Sequence, residues 1–312
     1  MKRLLARHSP LVILAGLCVV MAIVSPEFRT RGNLQSVAYR TSVVGIIATG
    51  QVLVILTAGI DLSVGSVAAL AGVVSCLLMR DYGFPVSLGI AAGAATGLGC
   101  GLINGLLATK GRIAPFIVTL GMMMVARGAT LLLSGSVAIS GLPERFYYLG
   151  GTEGWWIPVL ITVVIVAFFS ITLTFMRFGR ALYATGGNLT ATRLSGINVD
   201  RVRIAAFALC GLLSGFAGVM LASRTSIASP NAAEGMELDA IAACVIGGAS
   251  LMGGEGGGLG TLAGALIMNV LVNFCNLKKL DPHWQRVLVG TLIIVIVYYD
   301  TFRKRRAGIL KD

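Results

Sequence analysis

Asp61 is an acidic residue inside a long apolar stretch, and two hydroxyls follow it in Asp61-Leu62-Ser63-Val64-Gly65-Ser66. A carboxylate at the bilayer centre costs about 2.5 to 3.5 kcal/mol even on lenient insertion scales, so it must be paired, solvated or put to use. Two uses are open. It can accept backbone N–H bonds where the next helix begins. Alternatively, with Ser63 and Ser66, it can line an aqueous path for a hydroxylated solute at a broken helix. Gln51, Asn104, Asn269 and Asn273 are amides within apolar runs. Such groups either bond helix to helix or offer donors and acceptors to a polar solute. These seven residues are the candidate transport path, and their chemistry is reversible hydrogen bonding. Arg127 sits about 9 Å of helix rise from the end of its run and is expected to snorkel outward with no role in transport.

A second constellation lies in the polar, basic stretch from Arg177 to Arg203. There Gly186-Gly187-Asn188 leads into Leu189-Thr190-Ala191-Thr192-Arg193-Leu194-Ser195-Gly196. Asn is a good N-cap and Gly a good stop, which predicts a short helix of about seven residues, roughly 10 Å long. With Leu189 and Leu194 as apolar contacts, it either docks on a partner or lies on a membrane surface.

Covalent chemistry has little to work with. The only histidines are His8 and His283, and neither H-E-x-x-H nor G-x-S-x-G occurs. Cys18, Cys76, Cys100, Cys210, Cys244 and Cys275 lack the short paired spacing of a zinc site or disulfide framework and read as packing residues. No metal or cofactor is expected. The dipeptide Gly-Lys is absent, so the chain has no P-loop, and ATP-driven work would need a nucleotide site on another subunit.

The elements that position these residues are set by composition. Of 312 residues, 56% are hydrophobic and 12% charged, against roughly 25% charged in soluble domains. This is an all-α integral membrane protein in a single domain. The net charge of +12 sits between apolar runs, so topology explains it better than nucleic acid does. A span needs about 20 apolar residues. Ten are expected: Leu11 to Val24, Thr41 to Gly59, Ser63 to Met79, Ser87 to Ala108, Ile113 to Leu133, Ile157 to Met176, Ile204 to Ala222, Ala240 to Leu251, Leu259 to Leu277 and Arg286 to Thr301. The first reads as a retained helix rather than a cleaved signal, and the eighth is short enough to be re-entrant. Lys and Arg favour both termini on the cytoplasmic side, with Lys110, Arg112, Arg177, Arg180, Arg193, Arg201, Arg203 and the terminal clusters inside. A faint likeness between Val54–Leu70 and Val245–Leu262 suggests that spans two to five recur, inverted, as seven to ten. Glycines at every fourth position, Gly89 to Gly105 and Gly256 to Gly264, predict close helix packing.

Three motifs carry a family resemblance: Val54-Ile-Leu-Thr-Ala-Gly-Ile-Asp-Leu-Ser-Val-Gly65, Gly186-Gly-Asn-Leu-Thr-Ala-Thr-Arg-Leu-Ser-Gly-Ile-Asn198 and Glu237-Leu-Asp-Ala-Ile-Ala-Ala-Cys-Val-Ile-Gly-Gly-Ala-Ser-Leu251. The chain resembles the ribose-type permease subunits of bacterial ABC sugar importers, from about Ser25 to Asp300. The resemblance implies an inner-membrane permease that pairs with a second copy or a sister permease, two ATPase subunits and a periplasmic sugar-binding protein. It implies that Asn188 to Gly196 is the coupling helix seated on the ATPase, and that the loops Pro143 to Trp155 and Ser223 to Glu237 dock the binding protein. Leu189 and Thr190 stand where the family usually has an acidic residue and an alanine, and Glu255 where it commonly has a basic one. The rival expectation is a stand-alone, gradient-driven transporter or channel, for which Asp61 is the one clear coupling carboxylate.

Overall fold

The computed structural model describes residues 2–151 and 154–306, with side chains from Val12 onward apart from some in the last helix. Lys311 of the C-terminal basic cluster, expected inside with the rest of it, lies outside the described residues, as do Thr152 and Glu153 of one predicted docking loop. Thirteen α-helices are described: α1 (Lys2–Val24), α2 (Arg31–Leu56), α3 (Val64–Asp81), α4 (Val86–Thr109), α5 (Pro115–Ser134), α6 (Glu144–Tyr147), α7 (Trp156–Phe175), α8 (Arg177–Gly187), α9 (Leu189–Leu194), α10 (Val199–Thr225), α11 (Met236–Ile246), α12 (Gly258–Leu277) and α13 (Pro282–Arg306). All ten predicted spans are helices. Seven of them, α2, α3, α4, α5, α7, α10 and α12, are long and apolar enough to cross a bilayer. The other three are α1, whose apolar part is Val12–Val24, α13, and α11. The eleven residues of α11 rise only about 16 Å, roughly half the hydrocarbon thickness.

The core is built around α2, whose second half is almost wholly enclosed, from Ile46 to Leu56. Lipid-facing helices instead expose large apolar side chains, such as Leu132 on α5 and Val164 and Ile171 on α7. With no hydrophobic force between helices in lipid, close approach of small residues does the packing. The α4 glycines do this against α3 and α10. A methyl on Gly97 would lie 2.2 Å from the Gly211 carbonyl oxygen, and one on Gly211 equally close to that of Gly97. The second glycine run lets α12 close on α11, where Gly260 abuts Gly247.

The pairing of helices has an internal symmetry. α4 lies against α3 and α10, while α12 lies against α11 and α2; α5 lies against α3, and α13 against α11. This exchange is the arrangement expected when the second to fifth spans recur as the seventh to tenth. The chain also turns inward at matching places. Between α2 and α3, residues 57–63 climb back beside α2. Gly218 of α10 abuts the Ala68 carbonyl of α3, about 21 Å of helix rise from Ile204, where α10 meets Gly105 of α4. α3 therefore starts near mid-bundle. Between α10 and α11, residues 226–235 descend likewise, since the Gly65 backbone at the start of α3 abuts the Ala233 carbonyl and the Glu237 carboxylate. The stretch Ser223 to Glu237, expected as an outer docking loop, is thus mostly re-entrant. Its backbone is kept inside because protein groups, not lipid, meet it.

Candidate translocation and coupling sites

The 57–63 segment is held by side chains from four helices. The Asp61 carboxylate, 1% exposed, accepts from the Ser63 N–H (2.8 Å) and hydroxyl (2.6 Å) through one oxygen, and from the Asn104 amide (3.4 Å) through the other. Asn104 also donates to the Ser63 hydroxyl at 3.0 Å. The Gln51 carboxamide, oriented to satisfy both its ends, donates to the Asp61 carbonyl (3.1 Å) and accepts from the Asp61 N–H (3.2 Å). Thr119 on α5 donates to the Ile60 carbonyl at 3.2 Å, and Arg203 on α10 to the Thr57 carbonyl at 3.1 Å. A break in a membrane helix is tolerated only where its freed backbone groups find partners inside the protein, and these residues supply them.

Gln51, Asp61, Ser63 and Asn104 therefore form one cluster, with Ser66 buried a turn into α3. The Asn104 carbonyl oxygen is buried and has no hydrogen-bond partner among the described residues. Asn269 and Asn273 lie elsewhere, on α12. Asn269 donates to its own helix at Ala265 (2.9 Å), and Asn273 exchanges hydrogen bonds with Asn33 (2.6 and 3.1 Å) at the start of α2. Arg127 does not snorkel. Its guanidinium donates to the Pro230 (2.6 Å) and Ala232 (3.1 Å) carbonyls of the second re-entrant segment, because those carbonyls are nearer than the end of the helix.

The predicted short helix is α9, six residues long. The Asn188 side chain caps it by accepting from the Ala191 N–H at 2.9 Å, and Gly196 ends it with φ +80°. Thr192 anchors it inward, donating to the Ala184 and Asn188 carbonyls at 2.7 Å each. Leu194 projects outward at 85% exposure, while Leu189 is half-buried. Asp200 joins Lys110 (3.3 Å) and Arg193 (3.9 Å), tying the ends of α4, α9 and α10 together at the surface.

The preceding helix α8 (Arg177–Gly187) is not among the helices expected from the sequence. Its last residues rest directly on the end of α2, just before the first re-entrant segment: a methyl on Gly186 would lie 1.9 Å from the Leu56 carbonyl oxygen and 2.5 Å from the Gly254 nitrogen. The Gly254 N–H itself donates to Leu56 at 3.1 Å. α9, α8, the end of α2 and the Asp61 cluster thus form one contiguous chain of contacts. The sequence marked its two ends and missed its middle. In the sequence Arg203 counts only among the charges that set topology, and a cation at the foot of a membrane helix beside a break is the signal it offers.

Residues 33–297 match the permease family described as Branched-chain amino acid transport system / permease component. The chain belongs to this family. It is 41% identical to the ribose import permease protein RbsC of Escherichia coli (strain K12) over 96% of this chain and 95% of that one. It is 36% identical to the L-arabinose ABC transporter permease protein AraH of Azospirillum brasilense, covering 99% and 91%, and 35% identical to the fructose import permease protein FrcC of Rhizobium meliloti, covering 96% and 86%. No solved structure gives a significant match. The chain is accordingly a multi-pass membrane permease, and these three relatives are permeases named for sugars.

Proposed function

We propose that this permease carries a monosaccharide, a pentose, hexose or related polyol, across the bacterial inner membrane by alternating access, driven by ATP hydrolysis on a separate subunit. The observation that carries the reading is the unbroken contact from the exposed α9 through Gly186 to Leu56 and the Asp61 cluster. It gives a partner seated on α9 a rigid handle on a buried polar break. Asn188 to Gly196 form the coupling helix, with Leu194 as its apolar knob. α9 faces the cytoplasm, in keeping with Lys110, Arg112, Arg177, Arg180, Arg193 and Arg201 at that end, and both termini lie on the same side.

In this conformation the Asp61 cluster is a closed inner gate. When α8 withdraws from Leu56, Asp61, Ser63, Ser66, Gln51 and Asn104 become available to sugar hydroxyls, the unpartnered Asn104 oxygen first among them. Asn269 and Asn273 belong to the outer part of the path. The remaining partners are a periplasmic sugar-binding protein and a second copy or sister permease. Relatives named for ribose, arabinose and fructose favour this substrate class over amino acids.

Isolation of the subunit from its native membrane tests the reading. Co-purification of an ATPase bearing a P-loop, lost on Leu194→Asp at unchanged permease amount, is the expected result. Leu194 contributes little to the fold at its exposure, so retention of the ATPase in that variant would refute the coupling assignment.

A further inference from the structure

Each of the two re-entrant segments has an arginine set into it. Arg203, near the foot of α10, donates to the Thr57 carbonyl of residues 57–63. Arg127, within α5, donates to the Pro230 and Ala232 carbonyls of residues 226–235. Both arginines are half-buried, and in each case the acceptors are irregular backbone with no helix to return to. A cavity adjoins each place, lined by Arg203 itself at one end of the bundle and by the segment that Arg127 holds at the other. Arg203 lines one of about 880 Å³ with Arg112, Arg193 and Asp200. The segment held by Arg127 lines one of about 230 Å³ through Ser229 and Ala232, against Gly72 of α3 and Gly218 of α10. A guanidinium bond to a carbonyl is charge-assisted, and a partly buried carbonyl stripped of it loses a strong partner. Each arginine thus adds a charged donor to the hold on its segment, beside Gln51 and Thr119 on the first and the Ile139–Ala228 pair on the second.

We propose that Arg203 and Arg127 are opposed latches, Arg203 on the inner gate and Arg127 on the outer one, so that loss of each frees only its own end. They position the gates and do not touch the solute. The inference rests on the proposed function insofar as a solute passes only if the two segments yield in turn.

The test uses full-length permease with all six cysteines replaced, carrying Ile60→Cys as the inner reporter or Ser229→Cys as the outer one. A membrane-impermeant maleimide is applied to right-side-out and inside-out vesicles. Arg127→Gln is expected to speed modification of Ser229→Cys roughly tenfold from the outer face, the effect of losing about one charge-assisted hydrogen bond, with Ile60→Cys unchanged. Arg203→Gln should do the reverse from the inner face. Lysine at either position, keeping a charged donor, should restore part of the slow rate, and it serves as the readout if a glutamine variant does not accumulate. Acceleration at both reporters by either substitution, or at neither, overturns the proposal. ATP-dependent sugar uptake is measured in the same vesicles. Uptake with labelling unchanged by the substitutions removes the latches and leaves the importer. Latch-like labelling without uptake removes the importer and keeps the latches.

Discussion

The two re-entrant segments have the same topology and solve the same problem differently. Residues 57–63 bury their carboxylate and surround it with donors from Ser63 and Asn104, while Gln51, Thr119, Arg203 and Gly254 take up the backbone at either side. Residues 226–235 are held by Arg127, by the paired hydrogen bonds between Ile139 and Ala228 (2.9 Å each), and by their abutment on Gly65. They leave Glu234 exposed and Glu237 half-buried. An exposed acid near the middle of a membrane bundle belongs against water or another subunit, not lipid. The first segment is a closed knot wired to α8 and α9; the second is a looser wall entering from the opposite end of the bundle. Irregular backbone at membrane depth is stabilised either by many internal partners or by access to water, and this chain uses one solution in each half.

The sharpest way to break the contrast is Gly186→Leu. The side chain would have to occupy backbone positions of Leu56 and Gly254, and overpacking against main chain costs about 1 to 3 kcal/mol or more. Uptake should be abolished, with ATPase still bound if α9 survives; uptake assays beside co-purification check this. Asp61→Asn comes next. It removes the charge that Ser63 and Asn104 are arranged to serve, a loss of about 1 to 3 kcal/mol from a buried network, and should cut uptake at least about tenfold. Normal uptake at a normal protein level would remove Asp61 from the site. Thr119→Val frees the Ile60 carbonyl and should lower thermal stability by about 1 kcal/mol while leaving measurable transport, seen as a shift in unfolding temperature of the purified complex. The smallest change is expected from Glu234→Gln in the looser segment, within about 0.5 kcal/mol of wild-type stability. A large loss of stability there would show that this segment is as tightly knotted as the first.

Much of this was legible in the sequence, for reasons that differ residue by residue. Apolar runs near 20 residues marked the seven long helices, since bilayer thickness permits few alternatives, while α1, α11 and α13 came from shorter runs. The Asn188 cap and Gly196 stop marked α9 because both are local devices. Asp61 announced itself through the cost of a charge among apolar neighbours. The α8 helix, the Gly186–Leu56 abutment and the Arg203 bond depend on contacts between residues more than a hundred positions apart, which no local pattern encodes. Asn269 and Asn273 looked equivalent to Asn104 along the chain; only the fold separates them, giving one to its own helix, one to Asn33, and Asn104 to the break. Arg127 shows in the sequence only as a cation some way from a helix end, because its acceptors Pro230 and Ala232 lie across the bundle and far along the chain.

The central claim is that this permease moves sugar only when a partner's ATP hydrolysis acts through α9. Reconstitution of the subunit in vesicles with its ATPase and sugar-binding protein, against the subunit alone under a proton or sodium gradient, tests it most directly. The account predicts ATP-dependent accumulation of a monosaccharide in the complete complex, lost with Leu194→Asp, and none for the chain alone. Gradient-driven accumulation by the isolated permease would contradict it.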